Sequence, residues 1–156
     1  MKTNIGITEA HTQAVSAQLA KLLADEYVLY TKTRNAHWNV EGPDFHSMHK
    51  FFEAQYEQLD EIMDSVAERI RTLGHYAPGT LKSFLNLTHL TENSDNKNDS
   101  LSFIKELVED HGSIIQFIRG NINAFAEYQD FGTSDFITGL LEEHEKMAWM
   151  LRAHIK

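Results

Sequence analysis

The chain predicts an all-α fold, four long helices packed as a bundle with a short extra helix in the connection between the second and third. Three observations predict it. Apolar residues recur at alternating steps of three and four through most of the sequence, and no stretch shows the period of two that a half-buried strand needs. The two prolines, Pro43 and Pro78, each sit beside a glycine, in EGPD and APGT, so chain breaks concentrate at two places. A chain of 156 residues can bury a core without covalent staples, and residues 1-156 read as a single domain.

The first helix is expected from residue 8 to about 35, with Val15, Leu19, Leu22, Leu23 and Leu29 on its apolar face and Thr8 or Thr12 as its cap. The second has the clearest stripe: Phe45, Met48, Phe52, Tyr56, Leu59, Met63, Val66 and Ile70. After the Pro78 turn, LKSFLNL is long enough for a short helix, and the polar THLTENSDNKNDS reads as a surface loop. Leu101, Ile104, Val108, Ile115, Ile118, Ile122 and Phe125 mark the third long helix. Phe136, Leu140, Leu141, Met147, Ala148, Leu151 and Ile155 mark the fourth. In the link YQDFGTSD, Gly132 is expected to stop one helix and Thr133 or Ser134 to cap the next. The long connection before the third helix implies a crossover in place of a tight hairpin.

Cysteine is absent, which excludes disulfides, thiolate metal sites and cysteine nucleophiles together. Chemistry here must use nitrogen and oxygen. No apolar run approaches the ~20 residues of a membrane span and the first residues lack a signal-peptide layout, so a soluble cytoplasmic protein without a membrane partner is expected. The net charge of −9 argues against nucleic acid, whose binding needs a basic face or tail.

Residues 49 to 68, HKFFEAQYEQLDEIMDSVAE, begin with His49 and Glu53 and end with Asp64 and Glu68. Each pair is four apart, one helical turn, and both lie on the flank of the apolar stripe. At 1.5 Å per residue the pairs are about 22 Å apart, whereas a metal–ligand bond is roughly 2 Å, so one helix cannot close one site. The position numbers of His49 with Glu68, and of Glu53 with Asp64, add to the same total. That equality brings each pair against the other when two copies of the helix lie antiparallel about a two-fold axis, forming two identical sites in a homodimer. The same symmetry sets Glu57 near Asp60, with no account of how their repulsion is relieved. An acidic stripe beside an apolar one also fits an ordinary solvated helix face, and spacing alone does not choose.

From Asn35 to Ile70 the text NAHWNVEGPDFHSMHKFFEAQYEQLDEIMDSVAERI resembles the signature of the Dps-type miniferritins, ferritin-like proteins named as DNA-binding proteins from starved cells. The resemblance implies a ferritin-like four-helix bundle, a dodecamer forming a hollow shell, and iron-oxidising centres between two-fold-related subunits. It implies that His37, His49 and Glu53 of one chain join Asp64 and Glu68 of another as both metal ligands and catalytic residues, with Trp38 beside them. Glu53 stands where the family commonly has aspartate. The implied substrates are Fe(II) and hydrogen peroxide, with ferric iron stored and the cell spared oxidative damage. Two imidazoles and three carboxylates suit iron, manganese or zinc alike. The larger ferritins' site inside one bundle uses Glu-x-x-His, and no glutamate here has a histidine three residues later.

His46 is expected at the surface, and His111 and His144 as hydrogen-bonded core histidines; His11, His75, His89 and His154 form no constellation. Glu127, Asp130 and Asp135 crowd the last link, and Asp130 and Asp135 are candidates for an acidic iron-entry pore, helix capping being the plainer role for Asp135. The family's DNA binding commonly uses a lysine-rich terminus; with only Lys2 before Lys21, weak or no DNA binding is expected. Two non-enzymatic alternatives stand beside this reading: a metal-binding shell without iron turnover, and a four-helix interaction module.

Overall fold

The computed structural model describes residues 2–93 and 97–155; Ser94, Asp95 and Asn96, in the expected surface loop, lie outside the described residues. Five helices run in the order α1 (Glu9–Asn39), α2 (Phe45–Thr72), α3 (Leu81–Leu87), α4 (Ser100–Glu127) and α5 (Phe131–Arg152). Among the described residues there is no strand, only an isolated bridge between Glu41 and Asp99. No helix is long and apolar enough to cross a membrane among the described residues.

Helices α1, α3, α4 and α5 each begin where a polar side chain satisfies a free backbone N–H, whereas Asp44 at the start of α2 makes no such bond. Thr8 accepts from His11 N at 3.3 Å, Thr80 from Ser83 N at 3.2 Å, and Asp99 from Ser102 N at 3.0 Å. The first helix runs past residue 35 to Asn39, because nothing breaks it before the extended Val40 and the glycine and proline that follow. That extension places His37 and Trp38 on rigid helix. At the end of α2, Gly74 takes φ +93 and donates to Arg71 O at 3.0 Å while His75 N reaches Ile70 O at 3.3 Å. A Cβ at Gly74 would meet Thr3 Cγ2 at 2.9 Å, so glycine is required twice over.

The last link differs from expectation. Gly132 lies inside the first turn of α5 and does not stop α4; Gln129 does, at φ +65, with its N–H on Ala126 O at 2.9 Å and Asp130 N on Phe125 O at 3.0 Å. Asp130, rather than Thr133 or Ser134, caps α5, accepting from Thr133 N at 2.9 Å and Thr133 Oγ1 at 2.5 Å. The reason is reach: Asp130 is fixed by the end of one helix at the start of the next, where its two oxygens meet both donors and the Arg69 guanidinium at 3.0 Å.

Helices α1 and α2 pack as an antiparallel hairpin, α4 and α5 as another, and α1 lies against α4. Lys32 of α1 meets Glu106 and Asp110 of α4, while Leu19 and Leu22 share a lining with Ile118 and Phe125, so α1 and α4 are antiparallel. It follows that α2 and α4 run the same way, and the segment carrying α3 must travel the length of the bundle. The core is aliphatic and aromatic, with Phe52, Phe125, Leu29, Leu59, Ile104 and Ile114 fully buried, each such side chain stabilising by roughly 1.5–3 kcal/mol.

A polar thread crosses this core. Glu26 Oε1 lies 2.6 Å from His144 Nε2, and His144 Nδ1 lies 3.0 Å from His111 Nδ1, all three side chains being fully buried. His111 and His144 are thus the hydrogen-bonded core histidines expected. Burial, with His144 beside it, drives His111 well below the usual imidazole range, so it stays neutral.

Candidate metal centre

His37, in the last turn of α1, and His49, in the second turn of α2, face each other across the EGPD turn. Their rings stack at 3.8 Å between centroids with 19° between planes. Each Nδ1 lies 2.7 Å from the other residue's backbone oxygen, His37 from His49 O and His49 from His37 O. A carbonyl can only accept, so each Nδ1 must carry the proton and donate it. In the neutral imidazole that leaves Nε2 as the bare, lone-pair nitrogen on both rings, and neither Nε2 has a hydrogen-bond partner among the described residues. Two imidazoles held in one tautomer by reciprocal backbone acceptors fit a metal ion, the other ring nitrogen serving the orientation that second-sphere bonds usually supply.

Glu53, one turn beyond His49, is half-buried. The Lys50 ammonium donates to its Oε2 at 2.8 Å and holds the Glu53 carboxyl below its usual range, with smaller help from the nearby His37 and His49. Glu53 is therefore ionised and available as an oxygen donor, but shared with a competing cation. Tyr56 stands edge-on to the His37 ring at 5.1 Å and Phe45 tilts against His49 at 5.2 Å, closing two sides with aromatic surface. Sequence reading counted both as core stripe and missed their place against the imidazoles. A face toward a neighbouring helix and a face toward the core look alike in a three–four pattern.

The structure stacks His37 on His49 and sets Glu53 one turn along α2 from His49. Asp64 and Glu68 are exposed at the far end of the same flank of α2. Among the described residues of a single chain, no group of three or more histidine or acidic side chains is placed to hold a metal ion. Trp38 is 62 % exposed, its ring beneath the Arg34 guanidinium at 4.9 Å, and makes no ring contact with either histidine. Of the two candidate pore acids, Asp135 is exposed. Asp130 is 1 % exposed in the single chain, with both oxygens on Thr133 and Arg69, where it serves as a buried cap and ion-pair partner. His46 is exposed, as expected.

Residues 16–156 match the model of the ferritin-like domain. An uncharacterised low temperature-induced protein of Nostoc is 44 % identical over 156 residues, covering 99 % of this chain and 87 % of the relative. The DNA protection during starvation protein of Helicobacter pylori is 35 % identical over 137 residues, covering 88 % of this chain and 95 % of the relative. Among solved structures, DpsC from Streptomyces coelicolor superposes with a TM-score of 0.96 at 26 % identity, covering 100 % of this chain and 91 % of that one. The Dps protein of Vibrio cholerae, described as one of a broad superfamily of ferritin-like diiron-carboxylate proteins, gives 0.93 at 32 % identity, covering 100 % and 98 %. The family is one of iron storage and ferroxidase chemistry. Matched over residues 16–156 by the ferritin-like model and over its whole length by a Dps structure, the chain belongs to the ferritin-like family and, within it, to the Dps-type miniferritins.

Proposed function

We propose that this protein is a ferroxidase that oxidises Fe(II), preferentially with hydrogen peroxide, at centres shared between two subunits, and keeps the ferric product in a hollow dodecameric shell in the cytoplasm. The observation that carries the proposal is the reciprocal locking of His37 and His49, which leaves two bare Nε2 atoms beside an ionised Glu53. One chain thus offers half a coordination sphere. The other half comes from the partner's Asp64 and the partner's Glu68, which the antiparallel pairing of two α2 helices sets opposite.

In this reading His37 and His49 hold the ion at nitrogen donors that suit the divalent state, while the carboxylates of Glu53, Asp64 and Glu68 stabilise the added charge of Fe(III). Glu53 gives up its bond to Lys50 when the ion arrives. Tyr56, Phe45 and, across the subunit boundary, Trp38 keep the centre partly dry. Removing ferrous iron and peroxide together denies the cell the two reagents of hydroxyl-radical chemistry. Asp135, exposed near the start of α5, is the acid proposed to draw cations toward an entry pore. With a net charge of −9 per chain, DNA binding is weak or absent at physiological salt.

The test is anaerobic addition of Fe(II) followed by a stoichiometric pulse of hydrogen peroxide, following ferric absorbance in the wild type and in His49→Ala with Asp64→Ala. Fast oxidation that the double variant loses while still assembled supports the shared centre. Equal rates would reduce these residues to a solvated acidic face, and metal bound by the wild type with no peroxide-dependent oxidation would leave a shell that holds metal without turning it over. A monomer on size-exclusion chromatography would leave only an interaction module.

A further inference from the structure

Three of the five tyrosines stand in one file between α1 and α2. Tyr56 meets His37 edge-on at 5.1 Å, Tyr30 meets Tyr56 edge-on at 6.0 Å, and Tyr27 lies 6.1 Å from Tyr30. All three separations are those of rings in contact. The file begins at a candidate metal ligand. It ends in a surface groove that Tyr27 lines together with Asp60 and Asp64, and Asp64 is the acid that the two-fold arrangement assigns to the other centre of the dimer. An aromatic seam that only packed two helices would have no reason to start at one site and finish at the other.

The surroundings favour electron transfer coupled to proton loss. Tyr27, Tyr30 and Tyr56 are each half-buried, so their hydroxyls keep a route to solvent. The Arg34 guanidinium lies 4.4 Å over the Tyr56 ring and 5.7 Å over Tyr30, and donates to Tyr30 Oη at 2.9 Å. A fixed positive charge there opposes a radical cation, so a ring that loses an electron must lose its phenolic proton too.

We propose that Tyr56, Tyr30 and Tyr27 form a one-electron relay joining the two metal centres of a dimer; this rests on the ferroxidase reading above. Hydrogen peroxide needs two electrons and two protons to become two waters, and one Fe(II) supplies one electron. With a single ferrous ion at a centre, cleavage of the O–O bond gives one water, on uptake of a proton, and a hydroxyl radical. Tyr56 then donates an electron with its phenolic proton, turning the radical into the second water and leaving a neutral phenoxyl. An electron from Tyr30 with a proton from solvent restores Tyr56 while Tyr30 releases its own phenolic proton to solvent, and Tyr27 restores Tyr30 in the same way. The Tyr27 phenoxyl is reduced by Fe(II) at the second centre with a proton from solvent. In sum, two Fe(II), one peroxide and two protons yield two Fe(III) and two waters, with no radical released.

The experiment uses the assembled protein loaded anaerobically with about one Fe(II) per centre, pulsed with half an equivalent of hydrogen peroxide, and read three ways: ferric absorbance, freeze-quench electron paramagnetic resonance, and spin-trapped hydroxyl radical. The wild type is expected to show a transient tyrosyl signal. Tyr56→Phe should lose most of that signal and raise the spin adduct severalfold, while Tyr76→Phe, at an 89 % exposed ring outside the file, should match the wild type. Tyr27→Phe should prolong the signal, the hole having lost its exit. Unchanged signal and adduct in Tyr56→Phe, with oxidation still dependent on His49, overturns the relay and leaves the ferroxidase standing. A Tyr27→Phe decay equal to the wild type overturns the link between centres. Oxidation in the wild type that ignores His49→Ala overturns the ferroxidase reading, and the relay with it.

Discussion

In the proposed centre, Lys50 and an incoming metal ion compete for the same oxygen of Glu53. The Lys50–Glu53 pair is 2.8 Å long and open to solvent, so water and salt weaken its hold on the carboxylate. Lys50→Met removes the competitor and keeps the stem, so affinity for Co(II) at the assembled centre should rise by a few-fold at most. Anaerobic titration of the cobalt absorption checks it; unchanged affinity would mean that Glu53 is no ligand. Asp110 makes a second prediction. Burial lifts its carboxyl to about 6 despite Lys32 at 2.6 Å. Its folded value exceeds the unfolded one near 3.8, so the native state holds the proton more tightly, and stability falls as pH rises from about 4 through 6. Asp110→Asn should therefore gain on the wild type across that window, by up to about 3 kcal/mol, in denaturant melts at each pH. A pH-independent difference would sink this account.

The joint between α4 and α5 tests how two helix ends share one residue. Gln129 occupies the left-handed position where glycine usually sits, which costs an L-residue about 1–2 kcal/mol. Gln129→Gly should return about 0.5–1 kcal/mol after the glycine's own loss of chain entropy, seen as a raised melting temperature. Asp130→Ala should cost about 2–3 kcal/mol, more than a cap alone, because Arg69 loses its buried partner too. A loss under 1 kcal/mol would show the two bonds to be redundant. These joints also mark what could be read from the sequence and what could not. The α2 stripe was plain because period and burial are the same fact when one face packs. The pair His49 and Glu53 was plain because both sit on that one helix. His37 was invisible to spacing, being on α1, and came from the family's text. Glu26 and Asp130 were not legible as buried groups, since what buries them lies 118 and 61 positions away, at His144 and Arg69. The position of Trp38 and the true stop of α4 depended on where helices end, and no single residue type announces a stop at Gln129.

In the proposed shared centre, assembly decides whether two half-sites become one. A chain with His49→Ala keeps a sound Asp64 and Glu68, and a chain with Asp64→Ala keeps a sound His37 and His49. Each variant alone should be nearly inactive in peroxide-driven iron oxidation, since every centre in its homodimers lacks one ligand. Co-expressed in equal amounts, the two pair at random about a two-fold axis, and about half of the dimers are mixed. In a mixed dimer one centre carries both substitutions and the other carries neither. Random pairing therefore restores about a quarter of the wild-type centres, and about a quarter of the rate. A site built within one chain predicts no recovery at all, because no mixing repairs a ligand missing from the same bundle. The comparison needs only the two variants, their co-assembled mixture and a mixture combined after folding. That last mixture should stay inactive unless subunits exchange, so it separates complementation through shared centres from leakage by either parent.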